Sequence, residues 1–157
     1  MVQIIHLNGY DFIGRKNTSM SSATTIELVR KAYDLKLENV HILDKYSITE
    51  ISRIYNGIGP DRFPAELREL LNSLHPTLLP VALIHDVEYH EGGTKEQFTA
   101  SNGRFYTNGK TAAFAAYSWY DPRRYLVWNK ARQFANLCEL FGYIGWTKAE
   151  KNESNHG

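Results

Sequence analysis

The chain has 157 residues, of which 43% are hydrophobic, 22% charged and 13% aromatic, and its formal net charge is +1. This composition excludes a disordered chain and suits one folded domain, while the balanced charge gives no basic field that would indicate nucleic-acid binding. A single cysteine, Cys138, excludes an intramolecular disulfide and a cysteine-based zinc site. The N-terminus lacks the pattern of a signal peptide, and no run of about 18 apolar residues predicts a membrane span.

Three regions of the chain differ in pattern, and we place the domain boundaries between them. Residues 1–46 predict a small α/β extension, because residues 2–7 and 40–43 are short apolar runs typical of strands and residues 26–37 carry a helical stripe. Residues 47–147 form the predicted helical domain. Residues 148–157 are polar and are predicted to be a disordered tail.

The helical domain opens with a glycine-rich turn between two helices. Ser47 and Glu50 have the spacing of a capping box, which predicts a short helix through about residue 54. Gly57 and Gly59 follow it, where they permit backbone conformations that other residues resist, and Pro60 stops any helix. Leucines that recur along residues 64–74 predict the next helix.

Two central helices follow. Pro80 suits the first position of a helix that runs to about residue 91 and ends at two glycines. Thr94 and Gln97 form a second capping box and start the next helix, which Asn108 and Gly109 are predicted to end. Asp121 is predicted to cap a final helix that continues to about residue 142.

Polar side chains converge on one face of the first central helix. Tyr89 lies four residues after His85 and three after Asp86, so an imidazole, a carboxylate and a phenol share one side of the helix. In the second central helix, Asn102 lies within a stripe formed with Phe98 and Phe105. A core-facing amide needs a polar partner, because leaving it unpaired costs about 1–3 kcal/mol.

The glycine turn could contribute ligands to a cation site. Backbone carbonyls of Tyr55, Gly57 and Gly59 can aim at one point, and with a carboxylate from elsewhere they would give a hard cation part of its six to eight oxygen ligands. The turn is not a phosphate-binding P-loop, because it lacks that sequence pattern. A plain turn between two helices is the simpler alternative.

Taken together, Tyr-x-Gly-x-Gly at residues 55–59 and His-Asp-x-x-Tyr at residues 85–89 resemble the motifs of the phospholipase A₂ superfamily. The resemblance covers about residues 54–106 and fits the disulfide-free phage, bacterial and parvovirus-like members. It implies a mainly α fold, in which two antiparallel central helices carry the site and a glycine-rich ion-binding loop precedes them. The chain's own α/β extension is added at the N-terminus.

The resemblance also implies a function, namely calcium-dependent hydrolysis of the sn-2 acyl ester of phospholipids. By motif, His85 would be the general base, Tyr89 would support it, and the carboxylate of Asp86 would bind Ca²⁺ together with the loop carbonyls. The family usually places an aspartate opposite the histidine, whereas this chain has Asn102, which we expect to weaken catalysis. The expected partner is a phospholipid or membrane surface. The sequence does not fix a location and is compatible with the cytoplasm or a virion.

Two alternatives stay open from the sequence. The first is a non-catalytic calcium- or membrane-binding module of the same fold. The second is an HD-type metal phosphohydrolase, which also carries an adjacent His-Asp pair; His75 or His41 and Asp121 would have to complete its site. Aromatic residues near the last helix suit a membrane interface, although packing of that helix on the core explains them more simply.

Overall fold

The computed structural model describes residues 22–57, 74–143 and 146, and this part of the chain is mainly helical, as predicted. The elements in chain order are α1 (Ser22–Asp34), a 3-10 turn (Val40–Lys45), α2 (Ile48–Gly57), a 3-10 turn (Pro76–Leu78), α3 (Leu79–Glu91), α4 (Lys95–Ala116) and α5 (Arg123–Phe141).

Both predicted capping boxes are present. At the start of α2, the backbone N–H of Glu50 donates to Ser47 Oγ at 3.3 Å, and the backbone N–H of Ser47 donates to Glu50 Oε2 at 2.7 Å. Thr94 and Gln97 make the same exchange at the start of α4. Gly92 ends α3 with a φ of 68°, a conformation that favours glycine.

The predicted strand at residues 40–43 is wrong, because these residues form the 3-10 turn Val40–Lys45. Asn39 enters this turn with a left-handed φ of 61°. Val40, Ile42 and Leu43 are all buried, and a tight turn can bury such closely spaced side chains without a partner strand. The other predicted strand, at residues 2–7, lies outside the described residues.

Two helices run further than their sequences indicate. α2 continues to Gly57 instead of ending near residue 54, because Ile51, Ile54 and Tyr55 are all buried and keep its inner face in the core. α4 continues to Ala116, past the predicted end at Asn108 and Gly109.

The Asn-Gly pair inside α4 serves packing rather than a turn. Asn108 accepts a hydrogen bond from the Glu38 backbone N–H at 2.7 Å and donates one to the Glu38 carbonyl at 3.1 Å. Gly109 lies where α5 crosses closely, since a Cβ built on it would come 2.3 Å from the Cβ of Ala131. Both residues are therefore explained by contacts far away in the sequence.

α5 starts one residue later than predicted, at Arg123, with Pro122 at the cap position. Asp121 still serves the helix start, because its Oδ1 accepts the backbone N–H of Arg123 at 3.0 Å. The predicted helix at residues 64–74 lies outside the described residues except for Leu74, which is buried. The predicted tail, residues 148–157, also lies outside them.

A hydrophobic core joins the five described helices. It includes Leu28 of α1, Ile51 of α2, Leu83 of α3, Phe105 of α4 and Phe134 of α5. The core thus continues across residue 46, where the sequence placed a boundary. No described helix is both long enough and apolar enough to cross a membrane.

A buried ion pair ties α3 and α4 to the connection before α2. Glu88 is 4% exposed, and its carboxylate accepts from the Arg104 guanidinium, the Ser101 hydroxyl and the Asn39 amide. These three donors satisfy a charge that would otherwise be costly to bury. The pair fixes the rotation of α3 next to the candidate site.

Candidate active site

His85 and Tyr89 lie together on one face of α3, as their spacing predicts. His85 and Tyr89 are 4% and 5% exposed, and their ring centroids lie 4.4 Å apart on one face of the helix. Asp86 is half-buried. The imidazole lies edge-on to the rings of Phe105 and Phe134, at centroid distances of 5.2 and 5.5 Å. The site is thus built into the apolar core rather than added to its surface.

Asn102 of α4 is the partner shared by the two ring side chains. His85 Nε2 lies 3.0 Å from Asn102 Oδ1, and the Tyr89 hydroxyl donates to the same oxygen at 2.9 Å. Asn102 lies in an apolar stripe, where its amide needs polar partners. The hydrogen bonds to His85 and Tyr89 provide them. The structure brings His85, Tyr89 and Asn102 together.

Glu139 of α5 settles which way the Asn102 amide points. Asn102 Nδ2 donates to Glu139 Oε2 at 2.8 Å, and a carboxylate can only accept. The amide oxygen therefore faces His85, so the proton of the imidazole is on Nε2. His85 Nδ1 is left as an acceptor, and no residue in the described part of the chain is bonded to it.

Glu139 is the site residue that the sequence prediction missed. It directly follows Cys138, the last buried residue of the α5 stripe, so periodicity places it only at the edge of the core. Thr99 Oγ1 donates to its second oxygen at 2.8 Å. In the sequence, the only sign of its role is that Glu139 lies next to the apolar stripe of α5. An ordinary surface glutamate has the same position, so the pattern could not distinguish the two.

Burial controls the charge of His85. Removal from water lowers the pKa of this imidazole to about 4; the hydrogen bond to Asn102 opposes the shift and the charge of Arg104 adds to it. His85 is therefore neutral at pH 7, and its free Nδ1 can accept a proton. Burial also raises the pKa of the Tyr89 hydroxyl, so Tyr89 stays a hydrogen-bond donor.

Burial also acts on the carboxylate of Asp86. Burial raises its pKa well above the ordinary range, and its side chain makes no hydrogen bond or ion pair with any of the described residues. A half-buried carboxylate in this condition takes up either a proton or a cation. A hard cation such as Ca²⁺ suits its oxygens.

The other predicted calcium ligands lie only partly within the described residues. Tyr55 and Gly57 belong to the last turn of α2, so the prediction that they lie in a loop is wrong, and burial of Tyr55 explains the longer helix. Gly59 lies outside the described residues.

In the parts of the chain that the structure describes, no three His, Cys, Asp or Glu side chains form a group that could hold a metal ion. A calcium site made of Asp86 and backbone carbonyls would need only one such side chain. No protein-family model matches the chain, and no curated protein and no solved structure matches it either.

Proposed function

We propose that this chain is a calcium-dependent hydrolase of phospholipid sn-2 acyl esters, with His85 as its general base. One observation carries the proposal: Asn102 fixes a neutral imidazole in one tautomer and leaves its Nδ1 unbonded within the described residues, and the next residue on α3, Asp86, has a carboxylate without a hydrogen-bond partner there. A base next to a potential cation ligand is what hydrolysis of an ester by activated water requires.

The contacts between α3 and α4 support the helix arrangement that this function needs. Tyr89, near the end of α3, packs on Phe98 near the start of α4, and His85 bonds Asn102 one turn further on. At the other end of the pair, Leu78 lies beside Gly109. This order of contacts supports an antiparallel pair of helices that would hold the base and its partner on facing sides.

In the proposed reaction, His85 Nδ1 takes a proton from a water molecule as the water attacks the ester carbonyl. The imidazolium so formed returns the proton to the leaving alcohol, giving a fatty acid and a lysophospholipid. Asn102 holds the ring by Nε2, and Glu139 behind it supplies a negative charge that favours the imidazolium through the amide.

Calcium would be held by Asp86 and by carbonyls of Tyr55, Gly57 and Gly59. When bound, it would polarise the ester carbonyl as a Lewis acid and stabilise the negative charge on the carbonyl oxygen. The fit rests on Asp86, whose half-buried carboxylate lacks any other positive partner in the described part of the chain.

A non-catalytic module of the same arrangement is the second candidate, and the burial of His85 favours it. An imidazole 4% exposed, with a pKa of about 4, is a weak base that substrate reaches with difficulty. In this case the network of Asn102 and Glu139 only stabilises the fold, and Asp86 binds calcium without chemistry.

The phosphohydrolase alternative gains no support from the described contacts. His41 is bonded to Asp44, His75 to Tyr117, and Asp121 is paired with Arg123. None of these contacts involves the His85–Asp86 pair, which such an enzyme needs to complete with further ligands.

A vesicle assay tests the proposal. The full chain should release sn-2 fatty acid from phospholipid vesicles with calcium and not with a chelator, and His85→Ala should remove the activity. His90→Ala is the matched control, because His90 is on the same helix but exposed. If calcium binds normally and no fatty acid is released, the non-catalytic module is the correct function.

A further inference from the structure

The connection between α4 and α5 carries two highly exposed aromatic side chains. Trp119 and Tyr120 are 78% and 72% exposed, and at the start of α5 Tyr125 and Leu126 are 52% and 62% exposed. The Trp119 and Tyr120 rings meet edge to face with centroids 5.7 Å apart. We call these four residues the hairpin tip.

The hairpin tip is distinct from the aromatic residues that pack beneath it. Phe114, Tyr117 and Trp128 are half-buried and lie against the hydrophobic core. The side chains of the tip are not among the residues of that core. Tyr125 also meets the Phe114 ring edge to face, with centroids 5.8 Å apart. Packing therefore explains the inner set of aromatics but not the exposed surface of the tip, and a cluster of exposed apolar side chains marks an interaction surface.

Positive charge is concentrated along the part of α4 and α5 that leads to the hairpin tip, although Arg132 lies further along α5, in a cavity shared with Asn102 and Glu139. Residues 107–133 contain a single acidic residue, Asp121, and five basic ones, namely Lys110, Arg123, Arg124, Lys130 and Arg132. This leaves 13 basic and 16 acidic residues for the rest of the chain. Residues 107–133 therefore have a formal net charge of +4, although the net charge of the whole chain is only +1.

Some of these cations are held next to aromatic rings. The Arg124 guanidinium lies 3.8 Å from the centroid of Phe114, and Lys110 Nζ lies 4.9 Å from that of Trp128. The charged groups are thus fixed on a rigid hairpin instead of extending freely into solvent. Asp121 is already paired with Arg123, so it neutralises only one of the five.

We propose that the hairpin tip docks on the surface of an anionic phospholipid bilayer. Trp and Tyr side chains favour the membrane–water interface, where the ring is in apolar surroundings and its polar group stays hydrated. Leu126 adds an apolar side chain that can enter the same layer. Basic residues within a Debye length of anionic headgroups each strengthen such binding about fivefold.

Docking at the tip is independent of hydrolysis at His85. α4 rises about 1.5 Å per residue, so its end at Ala116 lies about 20 Å from Asn102. The surface that binds lipid is therefore separate from the candidate active site, and it needs neither calcium nor the imidazole. Vesicle binding can be measured in chelator, where the proposed hydrolysis cannot contribute.

Vesicle sedimentation of the full chain in chelator tests the docking surface. We expect binding to phosphatidylglycerol vesicles, weaker binding to phosphatidylcholine vesicles, and a blue shift of tryptophan emission on binding. The double variant Trp119→Ala/Tyr120→Ala should bind at least tenfold more weakly. Leu140→Ala is the apolar control, because Leu140 is 71% exposed but lies at the other end of α5.

A charge pair completes the test. Lys110→Gln/Lys130→Gln should reduce binding to anionic vesicles about tenfold or more, while Arg30→Gln/Arg53→Gln, which removes the same charge from α1 and α2, should leave it unchanged. Circular dichroism confirms that each variant is folded. The proposal would be overturned if Trp119→Ala/Tyr120→Ala bound vesicles as tightly as wild type, or if wild type bound no vesicles. It would also be overturned if a single-stranded oligonucleotide bound more tightly and displaced the vesicles.

Discussion

His85 is kept uncharged by its surroundings, and this links the stability of the fold to pH. Its pKa is about 4 in the folded chain and about 6.5 when unfolded, so the unfolded chain binds the proton more readily. The stabilisation is complete above pH 6.5 and is lost as the pH falls through 6.5 towards 4. It amounts to about 3 kcal/mol, since one pKa unit corresponds to about 1.4 kcal/mol.

Urea unfolding from pH 7.5 to 4 measures this effect. Wild type should lose stability over that range, and His85→Gln, which cannot be protonated, should lose about 3 kcal/mol less. Burial of Asp86 acts in the opposite sense, because its raised pKa favours the folded chain at low pH. Since Asp86 is present in both proteins, the difference between them isolates His85. Parallel stability curves would show that His85 titrates normally.

The amide of Asn102 and the carboxylate of Glu139 can be exchanged as a pair. Asn102→Asp alone places a second carboxylate at the 2.8 Å contact with Glu139, so we expect it to destabilise the fold by about 1–3 kcal/mol. Asn102→Asp/Glu139→Gln keeps a donor facing an acceptor and moves the charge next to His85. Its stability should be close to that of wild type.

We expect the exchanged pair to raise the pKa of His85 by at least about one unit, because an opposite charge now touches the ring. If the proposed hydrolysis is correct, fatty-acid release should rise severalfold. A proton NMR titration of His85 and the vesicle assay measure the two effects. An unchanged pKa in a folded double variant would mean that the charge at residue 102 does not reach the imidazole.

At the scale of the elements, the contact between α4 and α5 depends on a missing side chain. Gly109→Ala would place a Cβ 2.3 Å from that of Ala131, so the two helices must move apart, and we expect a loss of about 1–3 kcal/mol. Gly103→Ala is the matched control on α4, because nothing lies within 4 Å of its added Cβ. It should raise stability by about 0.5–1 kcal/mol through helix propensity.

Chemical denaturation of both variants tests this packing. Equal effects at the two glycines would contradict the close approach of the helices. If Gly109→Ala lowers the free energy of unfolding and Gly103→Ala raises it, Gly109 is required because a side chain does not fit there, and not because of its backbone flexibility. The sequence pattern treated Asn108 and Gly109 as a turn, because short-range rules have no information about Ala131 or Glu38.

The features that depend on interactions between residues close in sequence could be predicted from the sequence. The capping boxes at Ser47 and Thr94, the shared face of His85 and Tyr89, and the need of Asn102 for a polar partner follow from spacing alone, and the structure has them. Interactions between distant residues could not be predicted this way. Glu139 reaches Asn102 across 37 residues, and the burial that turns residues 40–43 into a 3-10 turn depends on helices that pack on them.

For the whole molecule, calcium should act as a stabilising ligand if Asp86 binds it. A ligand that binds only the folded chain at 100 times its Kd adds about 2.7 kcal/mol. For a chain of this length the melting temperature should rise by about 5–10 °C. Differential scanning calorimetry with calcium and with chelator measures the shift.

Asp86→Asn should remove the calcium response of the melting temperature. Glu96→Gln is the control, because this residue carries the same charge on the exposed side of α4 and should keep the response. A shift of the same size in Asp86→Asn would place the ion elsewhere. No shift in wild type up to millimolar calcium would remove the metal site from the proposed function.

The paired hydrogen bonds between Asn108 and the backbone of Glu38 have a consequence for the folding of the whole chain. They join residues that are 70 positions apart, so they form only after a long loop has closed and α4 is in place. The Glu38 amide lies in a connection rather than in a helix, yet its hydrogen should exchange with solvent as slowly as those of the core. Hydrogen exchange at this one amide therefore reports the opening of the entire helical assembly.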